Sequence, residues 1–268
     1  MTGRLAFRVS YLGDTFHGSQ RQIGVRTVEG DIISALEKIG AIDDVSDCRF
    51  AMASRTDRGV GALGNCFAID CDRVPEDVLR SLNRMLDSIW ITGYALVDDD
   101  FNPRHAHSRK YRHVSLDVGY DRDIFYEAAS SFTGEHDMVH FCKLDDRETR
   151  LSVDRVNVEF SQGAVTFDVE APFFLWHQVI RMVGACQHAA LGSISVEDIH
   201  KALEGVSGIQ TCPAHPGGLT LMEVVYGFDF VPVPTDRRVL DDLSERFSRM
   251  AAGTRILRDV AGELEKSD

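Results

Sequence analysis

Apolar positions along the first hundred residues follow two rhythms. "RLAFRVSY" (4–11) sets Leu5, Phe7, Val9 and Tyr11 against polar neighbours, the period of two that a half-buried strand requires. After a polar, glycine-containing stretch, Thr27 stands as an N-cap, and Val28, Ile32, Ala35, Leu36 and Ile39 fall on one helical face. Runs at 48–54 and 63–70 predict two further strands. Pro75 opens a helix carrying Val78, Leu79, Leu82 and Met85, and "IWITGYALV" (89–97) predicts a fourth strand. This β-α-β-β-α-β order is that of a ferredoxin-like unit.

A second unit begins after "DDDFNPRHAHS". Strands are predicted at 110–117, 151–160 and 163–170, the last two joined by a Gln162–Gly163 turn. A helix is predicted over 173–191, a shorter one over 196–204 behind Ser195, and a final strand over "LTLMEVVY". The expected fold is therefore α+β: two ferredoxin-like (RRM-like) α/β halves, residues 1–104 and 105–232, packed around a mainly antiparallel sheet. Element order alone relates the halves, since no internal repeat is visible. In the tail, 233–268, Leu243, Met250, Leu257 and Leu264 stand seven apart with Leu240 and Phe247 beside them. That pattern predicts a helix with one apolar stripe, docked on its own domain or paired with a second subunit.

A hydrophobic share of 44% and a charged share of 26% are those of a soluble globular chain. No apolar run reaches the roughly 18 residues a bilayer span needs, and the opening residues carry no signal-peptide pattern. Six cysteines without a CxxC pair are read as reduced thiols in the cytoplasm. A net charge of −13 argues against a polyanionic partner until its distribution is considered. Residues 101–116 hold Arg104, Arg109, Lys110, Arg112 and three histidines with no acid, and 171–196 hold His177, Arg181 and His188 with none. Basic patches thus persist inside an acidic protein. For the cluster at His136, His140 and Cys142, no complementary CxxC or HExxH exists, so no metal site is expected.

"ASRTDRGVGALGN" (53–65) places Asp57 between Arg55 and Arg58 on a glycine-rich loop. Three readings fit a carboxylate so placed: a turn cap, a metal ligand disfavoured by the flanking cations, or a reactive carboxylate kept ionised by nearby positive charge. The stretch resembles the active-site motif of the TruA family of tRNA pseudouridine synthases, in its archaeal and eukaryotic form. "YLGDTFHGSQRQ" with "TVEGDIISALE", "FNPRHAHSRKYRHV", "HFCK" (140–143) and "FFLWHQVIRMVGA" (173–185) resemble further blocks of that family in the same order. Together they run from about residue 4 to 230.

The resemblance implies that Asp57 is the nucleophile, that Tyr111 packs on the target base, and that Arg55 enters the RNA helix beside an extruded nucleotide. It also implies tRNA as the partner, uridines of the anticodon arm (38 to 40 in tRNA numbering) as targets, and a homodimer whose subunits share one tRNA. Rearranging uridine to pseudouridine oxidises nothing and adds no atom, so neither cofactor nor metal is expected. Arg58, Arg104, Lys110, Arg112 and His177 are candidate RNA contacts. In an extended strand Tyr111 shares a face with His113, opposite Lys110 and Arg112.

His177, Arg181, Gly184 and His188 would form one polar stripe on an otherwise apolar helix, and a buried arginine requires a partner. Asp57 is the expected partner, paired with Arg181 through a rotated helix or else with another cation. Here the chain departs from the family pattern H-x-V/I-R-x-x-V/I-G: "HQVIRMVG" has Ile180 at the arginine's place and Arg181 one residue on, about 100° around the helix. Two rival readings stand beside this one: a non-catalytic RNA-binding module of the same fold, and a pseudouridine synthase with a different RNA target.

Overall fold

β1 (Gly3–Tyr11) is buried along most of its length because it has a neighbour on each edge, β3 (Gly61–Cys71) and β4 (Ile89–Val97), both antiparallel to it. The computed structural model describes residues 3–206, 208–209, 211–234 and 236–265, with backbone only at 258 and 261–265. The helices of this half start as the sequence predicts. The Thr27 hydroxyl accepts from Gly30 N at the head of α1 (Val28–Lys38), and Pro75 occupies the first turn of α2 (Pro75–Met85). The strand expected over 48–54 shrinks to β2 (Ala51–Met52), paired with Phe67 and Ala68 of β3. Arg49 interrupts it with a left-handed backbone (φ 46°), its guanidinium held by Asp70 and Asp99.

The chain beyond β4 departs further from expectation. β5 (Ser108–Leu116) leads to α3 (Arg122–Ser130), a helix the sequence reading does not contain. Asp121 caps it by accepting from Ile124 N, and its buried Phe125, Ala128 and Ala129 form the face that meets its neighbours. The strand expected over 151–160 is two strands. β7 (Arg150–Val153) pairs with the short β6 (Gly134–Asp137), whereas β8 (Arg155–Ser161) pairs with β9 (Ala164–Ala171). α4 (Gln178–Ala190) packs against α3 and begins five residues later than predicted. α5 (Val196–Leu203) follows behind a capping box between Ser195 and Asp198. The remaining elements are β10 (Leu219–Val225), β11 (Val231–Pro232) and α6 (Arg237–Glu265).

The main sheet has nine strands in the order β11-β4-β1-β3-β10-β5-β9-β8, with β2 on β3. It is mainly antiparallel. β3 and β10 run parallel and meet at Gly61 with Thr220 and Ala62 with Leu221. One edge of β3 is filled by β1, so its other edge is divided between β10 at the start and β2 further along. After β10 the chain crosses the first half of the sheet. Tyr226 and Phe228 pack on Phe101 with ring centroids 5.3 and 5.5 Å away, and β11 closes on Gly93 and Tyr94 of β4.

α6 touches the body through Arg246, which donates to Ser88 Oγ and pairs with Asp87. Its stripe does not dock: Leu240, Leu243, Phe247, Met250 and Leu257 are exposed, while the Leu264 side chain lies outside the described residues.

Where β3 meets β10, a Cβ on Gly64 would stand 2.6 Å from the Met222 carbonyl oxygen. Gly64→Ala should therefore push β10 from β3 and cost about 1–3 kcal/mol of stability, read as a lower urea midpoint.

Candidate active site in the cleft between the sheet halves

The loop that carries Asp57 begins where β2 leaves β3. The main-chain ladder continues as far as Ala53 N donating to the Cys66 carbonyl at 2.8 Å. Beyond it the fully buried Asn65 side chain takes over as a surrogate strand: Oδ1 accepts from Ser54 N at 3.2 Å, and Nδ2 donates to the Ser54 carbonyl at 2.9 Å. Nδ2 also reaches the Tyr11 hydroxyl at 3.1 Å, and that hydroxyl lies 2.8 Å from Thr56 Oγ1. Ser19 holds the far side, its Oγ accepting from Thr56 N at 2.8 Å and its N–H donating to the Thr56 carbonyl at 2.9 Å. Burial pushes the Tyr11 phenol up to about 12, so at neutral pH it is a fixed hydroxyl in this network.

Asp57 sits on the turn that follows. Val60 N donates to its carbonyl at 3.1 Å, and Gly59 takes φ +86°, a conformation that side chains with a Cβ rarely adopt. The carboxylate is half-exposed and faces a cleft of about 770 Å³ between the two sheet halves. Trp176 Nε1 donates to Oδ1 at 3.0 Å, and His177 Nε2 lies 3.5 Å from Oδ2.

Tyr111 forms part of the same wall. It lies in β5 between Leu221 of β10 and Val169 of β9, only 8% exposed, with the Phe174 ring edge-on at 5.2 Å. Burial raises its phenol well above the ordinary value. The neighbouring Tyr11 and the Asp57 charge add to the rise, while Arg109 and Ser54 oppose it. A neutral hydroxyl-bearing ring thus shares the cleft with the carboxylate.

Arg55, Arg58, Arg104 and His177 also line the cleft. The first three are exposed and make no ion pair among the described residues. Lys110 and Arg112 are not brought there. As strand alternation predicts, they point to the other face from Tyr111, where Lys110 pairs with Glu223 at 2.7 Å and Arg112 is bidentate on Asp168 at 2.7 and 2.9 Å. His113, on the Tyr111 face, is buried. Desolvation holds its imidazole below the usual value, and Nε2 lies 3.0 Å from the His215 carbonyl.

The expected pairing of Arg181 with Asp57 is not made. His177 has a left-handed backbone (φ 62°, ψ 9°) and stands before the helix, so it shares no helical stripe with Arg181. The Cys142 thiol feels the charge of Arg181, whose buried Nε has no partner among the described residues.

Trp176 is the site residue that sequence reasoning missed. A helix assumed to start at 173 hid it among apolar neighbours, and its signal was its place beside His177. Arg109 was noted only as part of a basic patch. It is buried, and it donates to the Arg104 carbonyl at 2.6 Å and to that of Pro172, tying two cleft walls together. Among the described residues no group of three His, Cys, Asp or Glu side chains is arranged to hold a metal ion.

The sequence profile of a family described as tRNA pseudouridine synthase matches residues 128–227. The tRNA pseudouridine synthase A of Thermococcus onnurineus is 38% identical over 263 residues, covering 96% of this chain and 98% of that protein. That of Thermococcus kodakarensis is 40% identical over 255 residues, 92% and 94% of the two chains. That of Methanoculleus marisnigri is 38% identical over 268 residues, 98% of each. Among solved structures, the archaeal box H/ACA sRNP Nop10-Cbf5 complex superposes with a TM-score of 0.35 at 10% identity, covering 72% of this chain and 52% of that one.

Asn65→Ala would strip both backbone groups of Ser54 of their partners in a buried setting. A loss of about 2–3 kcal/mol is expected in chemical denaturation.

Proposed function

The chain belongs to the family of tRNA pseudouridine synthases, and from that premise we propose that it isomerises uridine in the anticodon stem-loop of tRNA, with Asp57 as nucleophile and no cofactor. The observation that carries this reading is the meeting of Asp57 and the Tyr111 ring on one open cleft.

A uridine must leave its stack to be worked on, and it enters such a cleft as an extruded nucleotide. The Tyr111 ring would hold the base by its face, a contact worth about 1–3 kcal/mol. The carboxylate acts at the ribose, where the breaking C1′–N1 bond builds positive charge. It does so by attack at C1′ or by taking the 2′ proton. The freed uracil turns and rejoins through C5. C5 then loses its proton and N1 gains one, so the product is an isomer and no electrons are transferred.

Arg55 is assigned to the gap left by the extruded nucleotide. Arg58 and Arg104 are assigned to the RNA strand around it, because they line the cleft without being engaged elsewhere as Lys110 and Arg112 are, while His177 lines the cleft with its Nε2 3.5 Å from Asp57 Oδ2 and meets the strand from there.

We read the architecture as two ferredoxin-like halves, 1–104 and 105–232, with a tail from 233. The orders β4-β1-β3-β2 and β10-β5-β9-β8, with α1 and α2 in one and α3 and α4 in the other at corresponding places, support it. We also read the protein as a cytoplasmic homodimer. A chain of net charge −13 gains by holding tRNA from two sides, and the exposed stripe of α6 gives a second subunit something to cover.

Asp57→Asn, which keeps shape and removes the charge, should abolish pseudouridine formation on unmodified tRNA while the Kd for tRNA stays within about twofold. Turnover by that variant would remove Asp57 from the mechanism. Arg58→Ala and Arg104→Ala should each weaken tRNA binding and lower the slope of log Kd against log salt by about one. Lys110→Ala and Arg112→Ala should leave that slope unchanged.

A further inference from the structure

The residues that grip Asp57 are consecutive, and the backbone between them is shaped for the task. Trp176 sends its indole N–H to Oδ1 and His177 brings Nε2 toward Oδ2, one side chain per carboxylate oxygen. Two adjacent side chains converge on one group only if the chain turns sharply. His177 supplies the turn with a left-handed backbone that a residue bearing a Cβ adopts at a cost.

The turn is braced from within by Gln178, 1% exposed, whose Oε1 accepts from Leu175 N at 2.8 Å. Lys143 N braces it from outside by donating to the Trp176 carbonyl at 2.7 Å. The Lys143 ammonium also lies 3.7 Å from the centre of the indole ring. A cation on that face draws electron density from the ring and strengthens the N–H as a donor to an anion.

We propose that Trp176 is a positioning residue for the reaction, holding the Asp57 carboxylate in place and aimed at the ribose, and that Lys143 tunes it through the indole ring. The arrangement accounts for a chain with isoleucine at position 180 and no Arg181–Asp57 pair: the donor comes from the segment before the helix instead of from the helix. Trp176 is 41% exposed, so the competing role for it is stacking on RNA. A stacking role would need the ring and not the N–H.

The inference rests on Asp57 being the reacting carboxylate, and the test separates the two. Single-turnover rates and tRNA Kd are measured for Trp176→Phe, Lys143→Met, the double variant and Asp57→Asn, with thermal unfolding of each as a check on folding. Trp176→Phe keeps an aromatic ring and deletes the donor. It should lower the rate about 10-fold or more, with Kd changed less than about twofold. Lys143→Met should lower the rate about threefold in the native background and not at all in the Trp176→Phe background. A native rate for Trp176→Phe, or a loss confined to Kd, overturns the positioning role. Equal effects of Lys143→Met in both backgrounds overturn the tuning. An active Asp57→Asn overturns the underlying reading whatever the tryptophan variant does, whereas an inactive one beside a native-rate Trp176→Phe overturns the clamp alone.

Discussion

A β-strand has two hydrogen-bonding edges, and one edge of β3 serves two partners. β10 takes the first part and β2 the later part, so the chain between β2 and the start of β3 must leave the sheet and return within a few residues. That constraint places the Asp57 turn at the seam between the sheet halves. A loop in such a place would ordinarily be mobile. Here a buried amide, two hydroxyls and a tyrosine fix it on both sides, and only the carboxylate and the two arginines project. The cleft follows from a sheet that two partners do not quite fill, and the Asp57 carboxylate stands at the unfilled place.

The electrostatics follow the same division. Lys110, Arg112 and Arg49 are engaged by carboxylates on the protein, whereas Arg55, Arg58 and Arg104 are not. An acidic chain can thus offer a locally positive rim where it opens and keep the remainder of its surface repellent to nucleic acid. The arginines beside Asp57 in sequence do not hold it. They point outward, and the carboxylate is held from across the cleft by Trp176 and His177. Proximity along the chain was a poor guide to partnership because the turn directs neighbouring side chains apart.

Local chemistry was legible in the sequence and long-range chemistry was not. Thr27, Pro75 and the period of β4 gave the edges of their elements because caps and alternation act within a few residues. α3 was missed because nine residues bearing Ile124, Phe125, Ala128 and Ala129 make too short a stripe to stand out. The expected strand over 151–160 divides at Asp154, where the partner changes from β6 to β9, and no local pattern announces such a change. Of the site residues, Asp57 and Tyr111 were visible through their motifs. Trp176 was not, because its role depends on one left-handed residue that no periodicity reveals. The ion pairs of Lys110 and Arg112 reach 113 and 56 residues along the chain, beyond any reading by window.

The aromatic segment after β10 also bears on how the molecule is made. Tyr226, Phe228 and the short β11 belong by position to the last part of the chain, yet they lie on Phe101 and β4 from the first. Until the ribosome reaches Pro232, that apolar face has no cover, an interval of roughly ten seconds at common translation rates. The nascent first half therefore carries an uncovered apolar face until those two rings and β11 arrive.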